Sequence, residues 1–414
     1  MLRLQVNREI IIVIFSILVQ LPLAVFLGHY YDERLFIDTG YLVSAGLNPY
    51  QPQLITVFSS NPYLTGINPI IGYPPLWPLL LGLIYRLSFN ITPNLFLYNF
   101  AIKVPVIASN IGLAYVTKTV MQRLGMSEKK IRVAWLFLLF NPFTLLTTTA
   151  WGEFDTLIAL LCVASLYFLS KGMIGKCALL LSLSIVLKPI SLPLLGLPLL
   201  FSPTKNWRKT LTYLSISVVI VLTLWFLPFN LLGWMLPSSP NQLTAHFKMA
   251  GGMTLFNIVE IFQNTATLPV GLEFLGYIWI PALLMGYYIV YRNPPKSMNE
   301  LVQKAVGLLL IFFLTRSWLS EPNLNLLLAL MLIAVGFEKI SSRTLHLTWI
   351  LALAFMVLNL AFSQLFFLVY PPIIPAMAAF DAQFGTARLV ARFAVTVLWY
   401  ILAIKILSAV MRKK

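Results

Sequence analysis

Apolar runs of about 20 residues, the length that carries an α-helix across a bilayer, recur from residues 9–28 to the C-terminus. No soluble core can absorb so many. Hydrophobic residues make up 59% of the 414 positions and charged ones only 10%, against about 25% in soluble domains. The sequence therefore predicts an all-α, polytopic membrane protein. The first run is too long for a signal peptide and has no small-residue cleavage site, so it is expected to stay in place as a helix.

The net charge of +16 orders these helices. Lysine and arginine cluster at Arg3 and Arg8, in 117–132, 171–176, 204–209, 291–304 and 338–343, and in the terminal MRKK. Basic loops face the cytoplasm, so an even number of crossings must separate neighbouring clusters. Expected spans lie near 9–28, 94–117, 133–150, 155–170, 177–188, 189–201, 210–229, 271–291, 303–317, 323–337, 345–369 and 388–411. The short 74–88 run, opened by YPPLWP, is read as an interfacial or re-entrant helix on the outer side. About twelve crossings with both termini inside result, and Lys188–Pro189 should break the short hairpin around LKPISLP. A nucleic-acid partner is excluded by the lack of any recognition motif or basic soluble module. Cys162 and Cys177 lie in apolar segments without CxxC spacing and are expected to be buried thiols. Walker, GxGxxG, HExxH and GxSxG motifs are all missing, which argues against ATP-driven pumps, Rossmann enzymes and the common hydrolases.

This topology sends most carboxylates to one face. Asp32, Glu33, Asp38, Glu153, Asp155, Glu260, Glu321 and Asp381 fall outside or at outer helix ends, and the large loops 29–93 and 230–270 lie on the same side. Chemistry is therefore expected at the outer face. In YYDERLFID, residues 30–38, Asp32 and Asp38 straddle an amphipathic stretch that can lie along the interface, where a carboxylate can serve as general base; a solvated loop is the plainer alternative. WGEFD, residues 151–155, offers an interfacial Trp151, a turn at Gly152, and Glu153 and Asp155 in the first turn of a helix whose dipole favours acids. Lys188 sits between apolar runs, where a cation must snorkel or meet an anion such as phosphate. Arg316 and Glu321 flank a Trp–Pro turn and can either neutralise each other or meet substrate. His246 and Lys248 stand beside a Gly–Gly hinge in the second outer loop, with His246 a candidate phosphate contact. His29 and His346, at helix ends, carry no such signal.

In order, these features are an acid after the first membrane helix, G-x-NPY at 46–50, YPPL at 73–76, NPF…WGEFD, the KG…K loop, LKP and SEPNLNLLL. Over roughly residues 8–335 that order resembles the GT-C superfamily of integral-membrane glycosyltransferases, closest to the polyprenyl-phosphate-mannose-dependent mannosyltransferases, including the enzyme that adds the first mannose to the GPI precursor. The resemblance implies a catalytic core over 1–335, followed by C-terminal membrane helices over 336–414. It also implies a lipid-phosphate-linked sugar donor, a lipid or glycan acceptor, an active site on the outer or lumenal face and inversion at the anomeric carbon.

Asp32 matches the second acid of the family's Asp-x-Asp and is the expected base. Tyr30 takes the first place, so no metal or other cofactor is assigned. Asp155 matches the acid of a Gly-x-x-Asp context and Lys188 the lysine before the bent hairpin. Loss of a lipid phosphate needs cations near the leaving group, for which Lys188, Arg316 and His246 are the candidates. Asp38, Glu153, Asp155 and Glu321 would orient sugar or acceptor hydroxyls. A secondary transporter or a lipid-linked sugar flippase is the alternative, favoured by Lys103 and Lys188 but not by the position of the acids. The setting is the plasma membrane of a prokaryote or the endoplasmic reticulum of a eukaryote. The predicted orientation is checked by single cysteines placed in a background lacking Cys162 and Cys177: an impermeant maleimide should label Thr267→Cys from outside, and Ser127→Cys only after the membrane is opened.

Overall fold

The computed structural model describes residues 2–59, 61–234, 248–263 and 265–412, and only the backbone of residues 2–7. Among the described residues thirteen helices of twelve residues or more carry the architecture: α1 Leu2–Phe26, α2 Tyr30–Ser44, α3 Leu76–Leu87, α4 Leu95–Arg123, α5 Glu128–Phe140, α6 Asp155–Ser170, α7 Ile174–Leu187, α8 Trp207–Leu231, α9 Trp279–Arg292, α10 Met298–Thr315, α11 Leu324–Gly336, α12 Ser342–Leu358 and α13 Ile373–Met411. Among the described residues seven helical stretches are long and apolar enough to cross a bilayer: those in α1, α4, α8, α10 and α13, with Glu128–Ala150 and Glu273–Arg292. The chain is an integral membrane protein.

Burial separates an inner from an outer layer of helices. In α11 every residue from Leu324 to Ala334 is buried, and α4, α5, α6, α10 and α12 pack around it. By contrast α1, α8 and α9 keep Ile11, Phe15, Val219, Leu222, Leu284 and Met285 exposed. Such faces match hydrocarbon, so the inner helices are held by side-chain packing and polar contacts rather than by escape from water.

Several expected boundaries move, each for a visible reason. As anticipated, α7 stops at Leu187, with Lys188 extended and Pro189 unable to continue the ladder. The segment expected to cross at 189–201 is not a continuous helix but a 3-10 stretch, Pro189–Leu194, and a single turn, Leu197–Leu200. Helix α12 ends at Leu358 rather than 369, because Leu360 takes a left-handed φ of 60°. Helix α13 begins at Ile373 instead of 388 and runs 39 residues. Its early polar residues are tolerated because they are paired. Arg388 Nε lies 2.8 Å from Asp381 Oδ1, and Arg392 bonds Asn359 Oδ1 at 2.7 Å and lies 2.8 Å from Glu260 Oε2.

Two short sheets brace the loops. β1 (Leu54–Ile55) pairs antiparallel with β2 (Gly66–Ile67), and β3 (Gly251–Gly252) pairs parallel with β4 (Trp318–Leu319). The glycines expected to hinge the second outer loop are therefore pinned. At Gly252, φ is +58° and a Cβ would lie 2.1 Å from the Leu319 carbonyl oxygen. Gly46 shares a positive φ, +76°, but opens onto free space. Gly46→Ala should cost only the left-handed strain of about 1–2 kcal/mol. Gly252→Ala should cost more and lower the melting temperature in detergent further, which thermal unfolding of both variants checks.

Candidate active site

The junction of α1 and α2 is fixed by α4. Asn99 Nδ2 donates to the carbonyls of Ala24, Val25 and Leu27, each at 3.0 Å, closing orphan acceptors at the end of α1. One turn on, Lys103 Nζ reaches the carbonyls of Leu27 and Ala150 and lies 3.1 Å from Glu33 Oε2. Gly28 N–H donates to Leu365 O at 2.8 Å and His29 N–H to Trp151 O at 3.1 Å. These bonds aim the first turn of α2 at the WGEFD segment. Trp151 Nε1 donates to Asp32 Oδ2 at 2.7 Å, His29 Nδ1 stands 3.0 Å from the same oxygen, and the imidazole stacks on the indole at 3.9 Å and 10°.

WGEFD is delivered by a wide π turn, Leu146–Ala150, in LTTTA. Its threonines are buried and answered: Asn110 Nδ2 donates to Thr149 Oγ1 at 2.9 Å, and both Asn110 and Thr149 donate to Gln20 Oε1 at 2.8 Å. The predicted turn at Gly152 is real, with φ +104°. A Cβ there would sit 2.7 Å from Glu33 Oε2, so the loop can approach α2 only through glycine.

Beyond Gly152, Glu153 and Asp155 converge on one cation. Lys188 Nζ donates to Glu153 Oε2 at 2.9 Å and to Asp155 Oδ2 at 2.7 Å, with the rings of Tyr73 and Phe154 each 5.4 Å away. The remaining oxygens are also taken: Tyr73 Oη donates to Glu153 Oε1 at 2.9 Å and Asn323 Nδ2 to Asp155 Oδ1 at 2.9 Å. The anion that Lys188 meets is thus the Glu153–Asp155 pair rather than open space for a phosphate.

Asp32 differs from these two because, among the described residues, only its Oδ2 is occupied. Burial disfavours its charge, yet the His29 and Trp151 hydrogen bonds and the nearby Lys188 hold its carboxyl below the usual range. Glu33 goes the other way: burial outweighs Lys103 and pushes it up to about 7.

The other sequence candidates scatter. Asp38 lies about 120° round α2 from Asp32 and is buried. Arg34 Nε is 3.5 Å from it, and the same guanidinium donates to Thr65 O and Ile67 O at 3.1 and 2.7 Å. Burial raises Asp38 to about 7 against that partner. Glu321 does not pair with Arg316, as one reading of the sequence expected, but accepts from Asn359 Nδ2 at 3.1 Å. Arg316 lies 5.1 Å over the Phe312 ring and has no carboxylate partner among the described residues. Burial lowers it to about 10, still cationic at neutral pH. Lys248 lies 3.3 Å from Glu273, and His246 falls outside the described residues. The described residues contain no group of three or more His, Cys, Asp or Glu side chains placed to hold a metal ion.

Sequence reasoning missed four participants. Tyr73 and Asn323 stood within YPPL and SEPN, which were noted as strings without roles. Trp151 was read as a membrane-interface residue and His29 as a helix end. The three-residue step from His29 to Asp32, one helical turn, was the available signal.

Residues 32–202, somewhat under half of the chain, match the MptA_B family, described as alpha-(1->6)-mannopyranosyltransferase, N-terminal domain. The matched stretch opens at Asp32 and takes in Glu153, Asp155 and Lys188. Among solved structures, ArnT from Cupriavidus metallidurans bound to undecaprenyl phosphate is similar at 15% identity and a TM-score of 0.47, over 98% of this chain and 77% of that one. No curated protein matches the chain.

Removing the central cation of this cluster should leave two buried carboxylates opposed. Lys188→Ala is expected to cost about 3–5 kcal/mol. The triple variant Lys188→Met, Glu153→Gln, Asp155→Asn, which removes all three charges, should recover most of that loss. Thermal unfolding of the detergent-solubilised protein measures both.

Proposed function

We propose that this chain moves a sugar, mannose by family resemblance, from a polyprenyl-phosphate donor to a hydroxyl of a lipid-linked or glycan acceptor at the outer face of the membrane, inverting the anomeric carbon. The observation that carries the reading is Asp32: its Oδ2 is held by Trp151 and His29, while Oδ1 bonds no other described residue. An anchored carboxylate with one oxygen free is what a general base needs. The acceptor oxygen attacks the anomeric carbon, its proton passes to Asp32 Oδ1, and the bond from that carbon to phosphate breaks. The polyprenyl phosphate leaves with one more negative charge, which a cation must answer. Arg316, cationic and free of carboxylates among the described residues, suits that task, with His246 a second candidate. Lys188 acts through the acids it clamps, holding Glu153 and Asp155 where sugar hydroxyls can reach their edges. Asp38 and Glu321 support the site from α2 and from the turn before α11.

In the membrane, the seven long stretches, the four shorter helices Asp155–Ser170, Ile174–Leu187, Glu321–Gly336 and Ser342–Leu358, and the broken segment Pro189–Leu200 would make twelve crossings, with α3 at the outer interface. Residues 1–335 form the catalytic core in this reading, and 336–414 brace it through Asn359 and Arg392.

The test is transfer from radiolabelled polyprenyl-phosphate mannose or glucose to a mixed lipid and glycan acceptor pool, by membranes with matched amounts of wild type and Asp32→Asn. Wild type should transfer label, and the variant should fall by about 10²–10⁴-fold. Equal transfer by both would remove Asp32 as the base.

A further inference from the structure

The imidazole of His29 is held more tightly than a residue at a helix start requires. Its backbone N–H bonds Trp151 O at 3.1 Å, and the preceding Gly28 N–H bonds Leu365 O at 2.8 Å. Its ring lies flat on the Trp151 indole, 3.9 Å away. Although it is the N-cap residue of α2, its side chain makes no capping bond. Instead Nδ1 is buried 3.0 Å from Asp32 Oδ2. A carboxylate only accepts, so Nδ1 must carry the hydrogen.

We propose that His29 is a positioning residue for Asp32, donating from Nδ1 so that Oδ2 is saturated and Oδ1 is kept ionised and turned to the acceptor hydroxyl. The inference rests on Asp32 being the base. His29 and Trp151 together give one carboxylate oxygen two fixed donors, which sets the plane of the group and leaves a single oxygen for chemistry. Around Asp32, Lys188 favours the charge, while Glu33 and Glu153 oppose it and Tyr73 is tied to Glu153. Glu321 faces His29 from the turn before α11. In so acid-rich a corner the donors are what keep the base unprotonated, as the depressed Asp32 titration agrees.

Two substitutions separate the ring from its N–H. His29→Phe keeps the stack on Trp151 and loses the donor, while His29→Asn puts an amide N–H where Nδ1 stood. In transfer assays the acid limb of kcat/KM should move up by about one pH unit in His29→Phe. It should return toward wild type in His29→Asn. An unmoved limb in the folded Phe variant overturns the proposal, as does a limb that moves equally in both.

Nitrogen NMR of labelled histidine in the wild-type protein gives a reading that does not depend on how the variants fold. His29 should be the Nδ1–H tautomer, whereas His346, whose Nδ1 accepts from Trp349 Nε1 at 3.2 Å, should be Nε2–H. A Nε2–H tautomer at His29 also overturns it. Retained activity in Asp32→Asn would defeat the base assignment instead, a separate outcome from a His29 effect that fails to appear while Asp32→Asn is dead.

Discussion

One ammonium group, that of Lys188, lies between two carboxylates in the interior, and the arrangement of the helices around it follows. Taking three charges out of water costs several kcal/mol each unless they answer one another and their remaining lone pairs are filled. Here every carboxylate oxygen has a donor: Lys188 supplies two, Tyr73 and Asn323 the others. Those donors come from the break after α7, from the approach to α3 and from the turn before α11, so three distant parts of the chain must meet at the start of α6. With both acids ionised the cluster carries a net negative charge, so in the proposed reaction it offers hydroxyl recognition, and the donor's phosphate is better met by Arg316.

A second set of polar contacts runs along α4. Asn99, Lys103 and Asn110, spaced to fall near one face, reach the end of α1, Glu33 and the threonines of the π turn. In a lipid-facing bundle, backbone groups freed by an irregular turn must be satisfied by neighbours. The π turn and the α1–α2 corner therefore occur where α4 presents amide and ammonium donors. Asp32 inherits its position from that scaffold.

The sequence carried the membrane class because apolar length is a direct physical signal, and it carried the break at Lys188–Pro189 because proline acts locally. It misplaced the start of α13, since Asp381, Arg388 and Arg392 look unfit for a helix until their partners across the fold are known. Arg316 and Glu321, five positions apart, invited a pairing that the 3-10 turn Glu321–Asn323 prevents by directing Glu321 to Asn359. Asp32, Glu153, Asp155 and Lys188 were legible as types of residue in suspect places. Their partners Tyr73, Asn323 and Trp151 were not, because each contact spans from 80 to 168 positions of chain and leaves no periodic trace.

The parallel pair β3–β4 has a mechanical side. Gly251 N–H and Thr254 Oγ1 both bond Ser317 O, at 3.0 and 3.1 Å, and Met253 N–H bonds Leu319 O at 2.9 Å. Ser317 directly follows Arg316, so residues 251–254 and the chain that carries Arg316 are stapled together as one lever. Any load that draws Arg316 toward a bound anion is passed through these three bonds to residues 251–254 and, by Asn257 Nδ2 to Thr396 Oγ1 at 2.9 Å, to the middle of α13. The C-terminal helix, far from Asp32 in sequence, is thus the counterweight against which Arg316, the proposed cation, is held.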